Sequence, residues 1–148
     1  MSQRVLVPMD HSAPAASALA FAFQTFPEAD ILVLHVTNPI EDTYFVGEEE
    51  FYSRYDVLEE ESRDQAMGIL NEARTIAQEA GRDIDTELAI GQPAQAIIGY
   101  IEEQEISSVV IGSHGRSGVA RLLLGSVAEK VVRRAPVPVT VVKESPGD

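Results

Sequence analysis

The residues best suited to chemistry lie in Gly112-Ser113-His114-Gly115-Arg116-Ser117-Gly118 and, a fixed step further on, Gly125-Ser126. Gly112 can end a strand with a sharp turn. Gly115 and Gly118 can take positive φ and leave no side chain between a main-chain amide and a ligand. Ser113 and Ser117 can donate hydroxyl hydrogen bonds, and Arg116 can offer a phosphate paired donors. His114 can donate as well, although an arginine or histidine in a loop equally faces solvent. Gly125 leaves room for a phosphate beside the next helix, whose positive N-terminal end begins at Ser126 and Val127. Ser126 either caps that helix or donates to the phosphate. The segment follows the β-branched run Val109-Val110-Ile111 and leads into an apolar helical pattern from Val127 to Val132. Strand, glycine loop and helix start form the setting in which amides surround a polyanion. A ligand-free glycine-rich connection is the competing reading. The segment is not a Walker A loop, because the lysine is missing, and not the dinucleotide fingerprint, because it follows a late strand.

The elements that must position this segment are legible as an alternation. Arg4 to Met9 reads as a strand buried on both faces. Asp10-His11-Ser12 then leads to a helical pattern from Ala13 to Phe26, with Ser12 as N-cap and Pro14 in the first turn. Asp30 to Val36 is a second buried strand, broken by Asn38-Pro39. Residues 39–57 mix acidic residues with Tyr44, Phe45, Phe51, Tyr52 and Tyr55. They read as a loop with a short helix that folds over the sheet's rim, meets a partner or packs locally. Leu58 to Ala80 is an amphipathic helix with Met67, Leu70, Ala73, Ile76 and Ala77 near one face, closed by Gly81. Ile84 to Ile90 alternates as a peripheral strand does. Gly91-Gln92-Pro93 turns into a helix carrying Ala96, Ile97 and Tyr100. Ile106 to Ile111 and Val137 to Val142 are the remaining strands. This β-α-β-α-β-α-β-α-β order predicts one doubly wound parallel sheet with right-handed crossovers.

Composition narrows the partners. The 148 residues suit a single domain, 1–148, and 45% are hydrophobic, enough for a packed core. No apolar run reaches membrane-spanning length, and the N-terminus lacks a signal-peptide profile. With no cysteine, disulfides and thiol catalysis are excluded but the redox compartment stays open, and the cytoplasm is the default expectation. A formal charge of −13 opposes nucleic acid and anionic membranes. Any anionic ligand must therefore meet a local nest of amides or arrive with a cation. The acidic, lysine-poor surface is of the kind expected in a high-salt cytoplasm, where screening quiets self-repulsion, and equally of an ordinary acidic protein. The three histidines have no zinc-ligand spacing, so no structural metal is expected.

Gly112, Gly115 and Gly125-Ser126 also match the nucleotide motif of the universal stress proteins: glycine, two residues, glycine, nine residues, then glycine with serine or threonine. Val5-Leu6-Val7-Pro8-Met9-Asp10, Gly91-Gln92-Pro93-Ala94 and Pro136-Val137-Pro138-Val139 extend the match over nearly the whole chain. The chain resembles the ATP-binding branch of that family. The resemblance implies an α/β, Rossmann-like open sheet of five parallel strands in order 3-2-1-4-5, with helices on both faces. The order reverses between the first and fourth strands, where open sheets place ligands.

It further implies that Asp10 lies near the nucleotide's sugar, accepting from ribose hydroxyls or helping to hold a metal. A turn or capping aspartate is the alternative. Val36, plain core on its residues alone, would offer its backbone to the adenine edge, and Pro8 and Met9 would either line that wall or pack in the core. ATP would bring Mg²⁺ or Mn²⁺. The strand 137–142 would join its counterpart in a homodimer. A nucleotide-dependent switch or sensor in stress response is favoured, because no residue set establishes an oriented water for hydrolysis. A slow ATPase and a protein-interaction module without nucleotide are the alternatives.

Overall fold

The computed structural model describes residues 3–10, 12–38, 55–114 and 124–143, with side chains from residue 60 onward in the third stretch. The 39–54 part of the irregular segment, His11 and residues 115–123 lie outside the described residues. In chain order the elements are β1 (Arg4–Pro8), α1 (Ala13–Thr25), β2 (Asp30–Thr37), α2 (Tyr55–Glu79), β3 (Asp85–Ile90), α3 (Pro93–Glu103), β4 (Ser108–Gly112), α4 (Ser126–Arg134) and β5 (Val139–Val142). All pairings are parallel, and the strand order is β3-β2-β1-β4-β5. The expected alternation and strand order are therefore both observed.

The two-sided apolar runs explain the central strands. Side chains alternate across a strand, so each run feeds two cores. Val5, Val7, Ile31, Val33 and Val110 pack against α1 and α2, with Leu19, Ile69 and Leu70. Leu6, Leu32, Leu34, Val109 and Ile111 pack against α3 and α4, with Ile97, Ile101 and Val131. β3 is an edge strand, and Ile90 at its end is 57% exposed.

One expectation on α2 is corrected. Met67 is 42% exposed and lies off the buried stripe, which runs through Ser62, Ala66, Ile69, Leu70, Ala73 and Ala77. At 3.6 residues per turn, Met67 lies about 100° round the helix from buried Ala66, which puts it beside the stripe.

Helix ends follow local chemistry. The Ser12 hydroxyl oxygen accepts from the Ala15 N–H at 3.2 Å and caps α1 as expected. Beyond α2, Gly81 takes φ +68°, with Arg82 N–H donating to Ala77 C=O at 2.9 Å and Gly81 N–H to Gln78 C=O at 3.1 Å. These are the paired bonds of a Schellman end. They aim Arg82 at the far end of α1. Its guanidinium donates to the carbonyls of Phe23, Phe26 and Ala29 at 2.9, 3.1 and 3.2 Å and lies 5.3 Å from the Phe23 ring centroid.

Arg82→Ala is expected to lower stability by about 1.5 kcal/mol, since three carbonyls lose a charged donor but can recruit water. Arg82→Lys recovers less than half of the loss, because an ammonium cannot present a planar fork. Urea denaturation checks this; an alanine variant with an unchanged midpoint would show that the grip contributes nothing.

The feature that opens the sheet lies between β1 and β4. Their register contains only Val5↔Ser108 and Leu6↔Val109, although β1 runs on to Pro8 and β4 to Gly112. Ladder direction alternates along a parallel strand. Met9 N–H donates to Leu34 C=O on β2, whereas Arg4 C=O accepts from Ser107 N–H at the start of β4. Even-numbered residues of β1 therefore face β4. Pro8 is the next even position after Leu6, and it has no N–H to give. The ladder stops and the strands part.

Candidate functional site

Where β1 and β4 part, a cleft of about 460 Å³ opens at the carboxyl ends of the strands. Pro8, Met9 and Asp10 form one wall. His35, Val36, Thr37 and Asn38 close the β2 side. Ile111, Gly112 and His114 come from β4, and Gly125, Ser126, Val127 and Ala128 from the start of α4. Gln65 and Ile69 of α2 and Pro93 and Ile97 of α3 complete the lining. Asp10 and the β4–α4 segment, far apart in sequence, thus meet across one opening.

Asp10 is half-buried, and its Oδ1 accepts from the Ser12 N–H at 2.9 Å. The carboxylate therefore holds the β1–α1 turn as well as lining the cleft. The turn reading of Asp10 is observed, and the residue stands on the cleft wall.

The start of α4 is the counterpart across the cleft. Gly125 occupies the N-cap position, no side chain caps the helix, and Glu129 N–H donates to Gly125 C=O at 2.9 Å. The amides of Ser126, Val127 and Ala128 precede that first bond and find no acceptor among the described residues. They concentrate the positive end of the helix dipole at the cleft.

Several sequence readings are corrected here. Ser113, expected to donate towards a phosphate, is buried and does not line the cleft. Its N–H donates to Val142 C=O at 2.8 Å, its C=O accepts from Gly125 N–H at 2.7 Å, and its Oγ lies 3.3 Å from His114 Nδ1. It is a strut between β5 and α4. The Ser113 and Gly125 amides are consequently spent within the protein. Ser126 is the first helical residue rather than the cap. Gly112 ends β4 as expected, and it has a second role: a Cβ there would lie 2.8 Å from the Pro14 carbonyl carbon and 2.9 Å from Ala15 N. At Gly125 a Cβ would lie 3.0 Å from His114 Cα, so this glycine admits the chain's own backbone. Gly115, Arg116, Ser117 and Gly118 lie outside the described residues.

Two lining residues had no place in the sequence reading. Gln65 approaches from α2, which is visible only once that helix docks. His35 carried a signal, as a lone polar residue in the apolar run Asp30–Val36. Its Nδ1 lies 2.8 Å from the Met9 carbonyl oxygen.

The titratable groups among the described lining residues are Asp10, His35 and His114, and none is a lysine or arginine. Among the described residues, the groups that could hold an anion here are therefore chiefly main-chain amides. Among the described residues no cluster of three or more His, Asp or Glu could hold a metal, and no helix is long and apolar enough to cross a membrane. Outside the cleft, Tyr100 on α3 has its phenol pushed above the ordinary value, first by burial and then by the Glu87 and Glu103 carboxylates.

A doubly wound parallel sheet with a cleft at its switch point, an open helix N-terminus on one side and a carboxylate on the other, defines an α/β protein of the Rossmann-like class. Residues 1–143 match the profile of the Universal stress protein family, and the chain belongs to that family. It is similar to universal stress protein MJ0531 of Methanocaldococcus jannaschii, at 31% identity over 142 residues covering 96% of this chain and 82% of the relative. Among solved structures it is similar to universal stress protein UspA of Lactobacillus plantarum, with 26% identity, a TM-score of 0.78, and 95% and 97% of the two chains covered. It is also similar to a universal stress protein solved in complex with cAMP, with 29% identity, a TM-score of 0.69, and 97% and 98% covered.

Proposed function

We propose that the cleft binds an adenine nucleotide, that ATP accompanied by Mg²⁺ or Mn²⁺ is its ligand, and that the chain acts as a nucleotide-dependent switch in the stress response of the cytoplasm. The observation that carries this reading is the uncapped α4 N-terminus facing Asp10 across one cleft. In this reading the amides of Ser126, Val127 and Ala128 take the phosphates. Asp10 accepts from ribose hydroxyls, Val36 meets the base edge, and Pro8 and Met9 form the adjoining wall. His114 adds a donor, and Gly115, Arg116, Ser117 and Gly118 are assigned to the phosphates as well. The cation offsets the repulsion between a triphosphate and a chain of charge −13. The relative solved with cAMP supports an adenine ligand.

Calorimetric titration with ATP and ADP, with and without Mg²⁺, tests binding. Hydrogen exchange then tests the switch: ATP is expected to slow exchange across residues 112–126 and in the 39–57 segment. Saturating ATP with no heat and no change in exchange would remove the nucleotide reading. Binding with unchanged protection in both segments would remove the switch alone.

The proposal extends to a homodimer through 137–142. β5 is an edge strand whose four residues are all half-buried, and an exposed apolar edge invites pairing. Sizing at low and high salt, where screening relieves charge repulsion, is expected to give a dimer at high salt. A monomer at both would overturn it.

A further inference from the structure

We propose that His35 is a positioning residue for the base: its Nδ1–H takes the Met9 carbonyl in place of the Val36 amide, and so leaves the Val36 N–H as a main-chain donor at the cleft. The functional half of this rests on the nucleotide reading above; the structural half does not.

The β1–β2 register runs from Arg4↔Asp30 to Pro8↔Leu34 and stops. The last rung that ties Met9 to β2 is its own N–H donating to Leu34 C=O at 2.8 Å. In a continuing parallel ladder the next rung would be Val36 N–H donating to Met9 C=O. Instead, the Met9 carbonyl lies 2.8 Å from His35 Nδ1. A carbonyl oxygen only accepts, so Nδ1 carries the proton and donates. The side chain of one residue has replaced the amide of the next.

Two consequences follow at the cleft, which Met9, Asp10, His35 and Val36 all line. Both main-chain polar groups of Met9 are held by β2, which fixes the point from which Asp10 departs. Val36 N–H, released from the ladder, suits a ring-nitrogen acceptor such as those on the edge of a purine. The ligand class is therefore a base with an acceptor at its edge.

The test uses the intact chain with His35→Asn, His35→Gln and His35→Leu. The Asn side-chain N–H₂ occupies the place of Nδ1, whereas that of Gln occupies the place of Nε2. Gln better preserves the size of the ring, so a role in packing alone favours Gln and a role as donor favours Asn. Val36 amide exchange is read without nucleotide. It is expected to be fast in the natural protein and in His35→Asn, and slowed about tenfold or more in His35→Gln and His35→Leu, where Val36 reclaims the Met9 carbonyl. ATP affinity is expected to stay within about twofold for His35→Asn and to fall about tenfold for the other two, the scale of one lost hydrogen bond.

Equal behaviour of the Asn and Gln variants, or unchanged Val36 exchange in His35→Leu, overturns the proposal. Should His35→Leu fail to fold, the imidazole nitrogen resonances of the natural protein decide: the Nδ1–H tautomer is expected, and Nε2–H with a bare Nδ1 overturns it. If ATP does not bind the natural protein but Val36 exchange follows the expected pattern, the nucleotide reading fails and the positioning role stands.

Discussion

Gly112→Ala is expected to lower the unfolding free energy by about 3 kcal/mol, the upper end of what overpacking in a tight interior costs. The added methyl would meet the Pro14 carbonyl carbon at 2.8 Å and Ala15 N at 2.9 Å, and both are backbone atoms of the first turn of α1. No rotamer change relieves such a contact. Either α1 lifts or β4 retreats, and each is tied down: α1 by the Ser12 cap, β4 by pairing with β5 as far as Gly112↔Val142. Lifting α1 would also carry the Ser12 amide away from Asp10, so the cleft suffers along with the fold. Gly99→Ala is the control. Its Cβ would meet nothing within 4 Å, and alanine there is expected to raise stability by about 0.5–1 kcal/mol through helix propensity. Urea denaturation of both variants checks the contrast. A Gly112→Ala midpoint equal to the natural protein's would mean that the α1–β4 approach is looser than the geometry requires.

The second large effect is on binding. Asp10→Ala is expected to weaken ATP about thirtyfold, the scale of a charged hydrogen-bond acceptor lost from a partly buried site. Part of that loss comes through the turn, because Asp10 Oδ1 also accepts from the Ser12 N–H. Asp10→Asn separates the contributions. Its amide oxygen can still accept from Ser12, so stability is expected to hold within about 0.5 kcal/mol, while the charge that the proposed function assigns to the ribose hydroxyls is gone and affinity is still expected to fall about tenfold. Calorimetry on the two variants reads the split. An Asn variant that binds as tightly as the natural protein would assign Asp10 to the turn alone. A matched comparison with adenosine removes the competing effect of a carboxylate repelling the phosphates.

Much of this architecture is legible in the sequence because its determinants are local. Runs such as Val5-Leu6-Val7 and Ile31-Leu32-Val33-Leu34 bury both faces and so specify parallel central strands. Ser12 and Gly81 mark helix ends through bonds to neighbours a few residues away. What escaped the sequence depends on contacts made at long range. Ser113 looks like a phosphate donor because it sits among glycines; its amide is claimed by Val142, which only the β4–β5 pairing brings near. Gly112 looks like a turn glycine and Gly125 like access for a ligand, yet each also has another stretch of backbone pressed against it. Met67 sits three residues before Leu70 and so fits a stripe by spacing, but the buried face is centred on Ala66, Ala73 and Ala77, about a quarter-turn away. His35 was visible as an oddity in an apolar strand, and its meaning came only with the carbonyl opposite.

The separation of β1 from β4 has a kinetic corollary. It arises because a pyrrolidine nitrogen at Pro8 bears no hydrogen, a permanent covalent fact rather than a thermally populated excursion. The floor of the crevice is accordingly preformed, and an incoming molecule need not wait for two strands to unzip or forfeit affinity to a rare open population. Association of a ligand at this end of the sheet would then be governed by diffusion and charge rather than by opening of the strands.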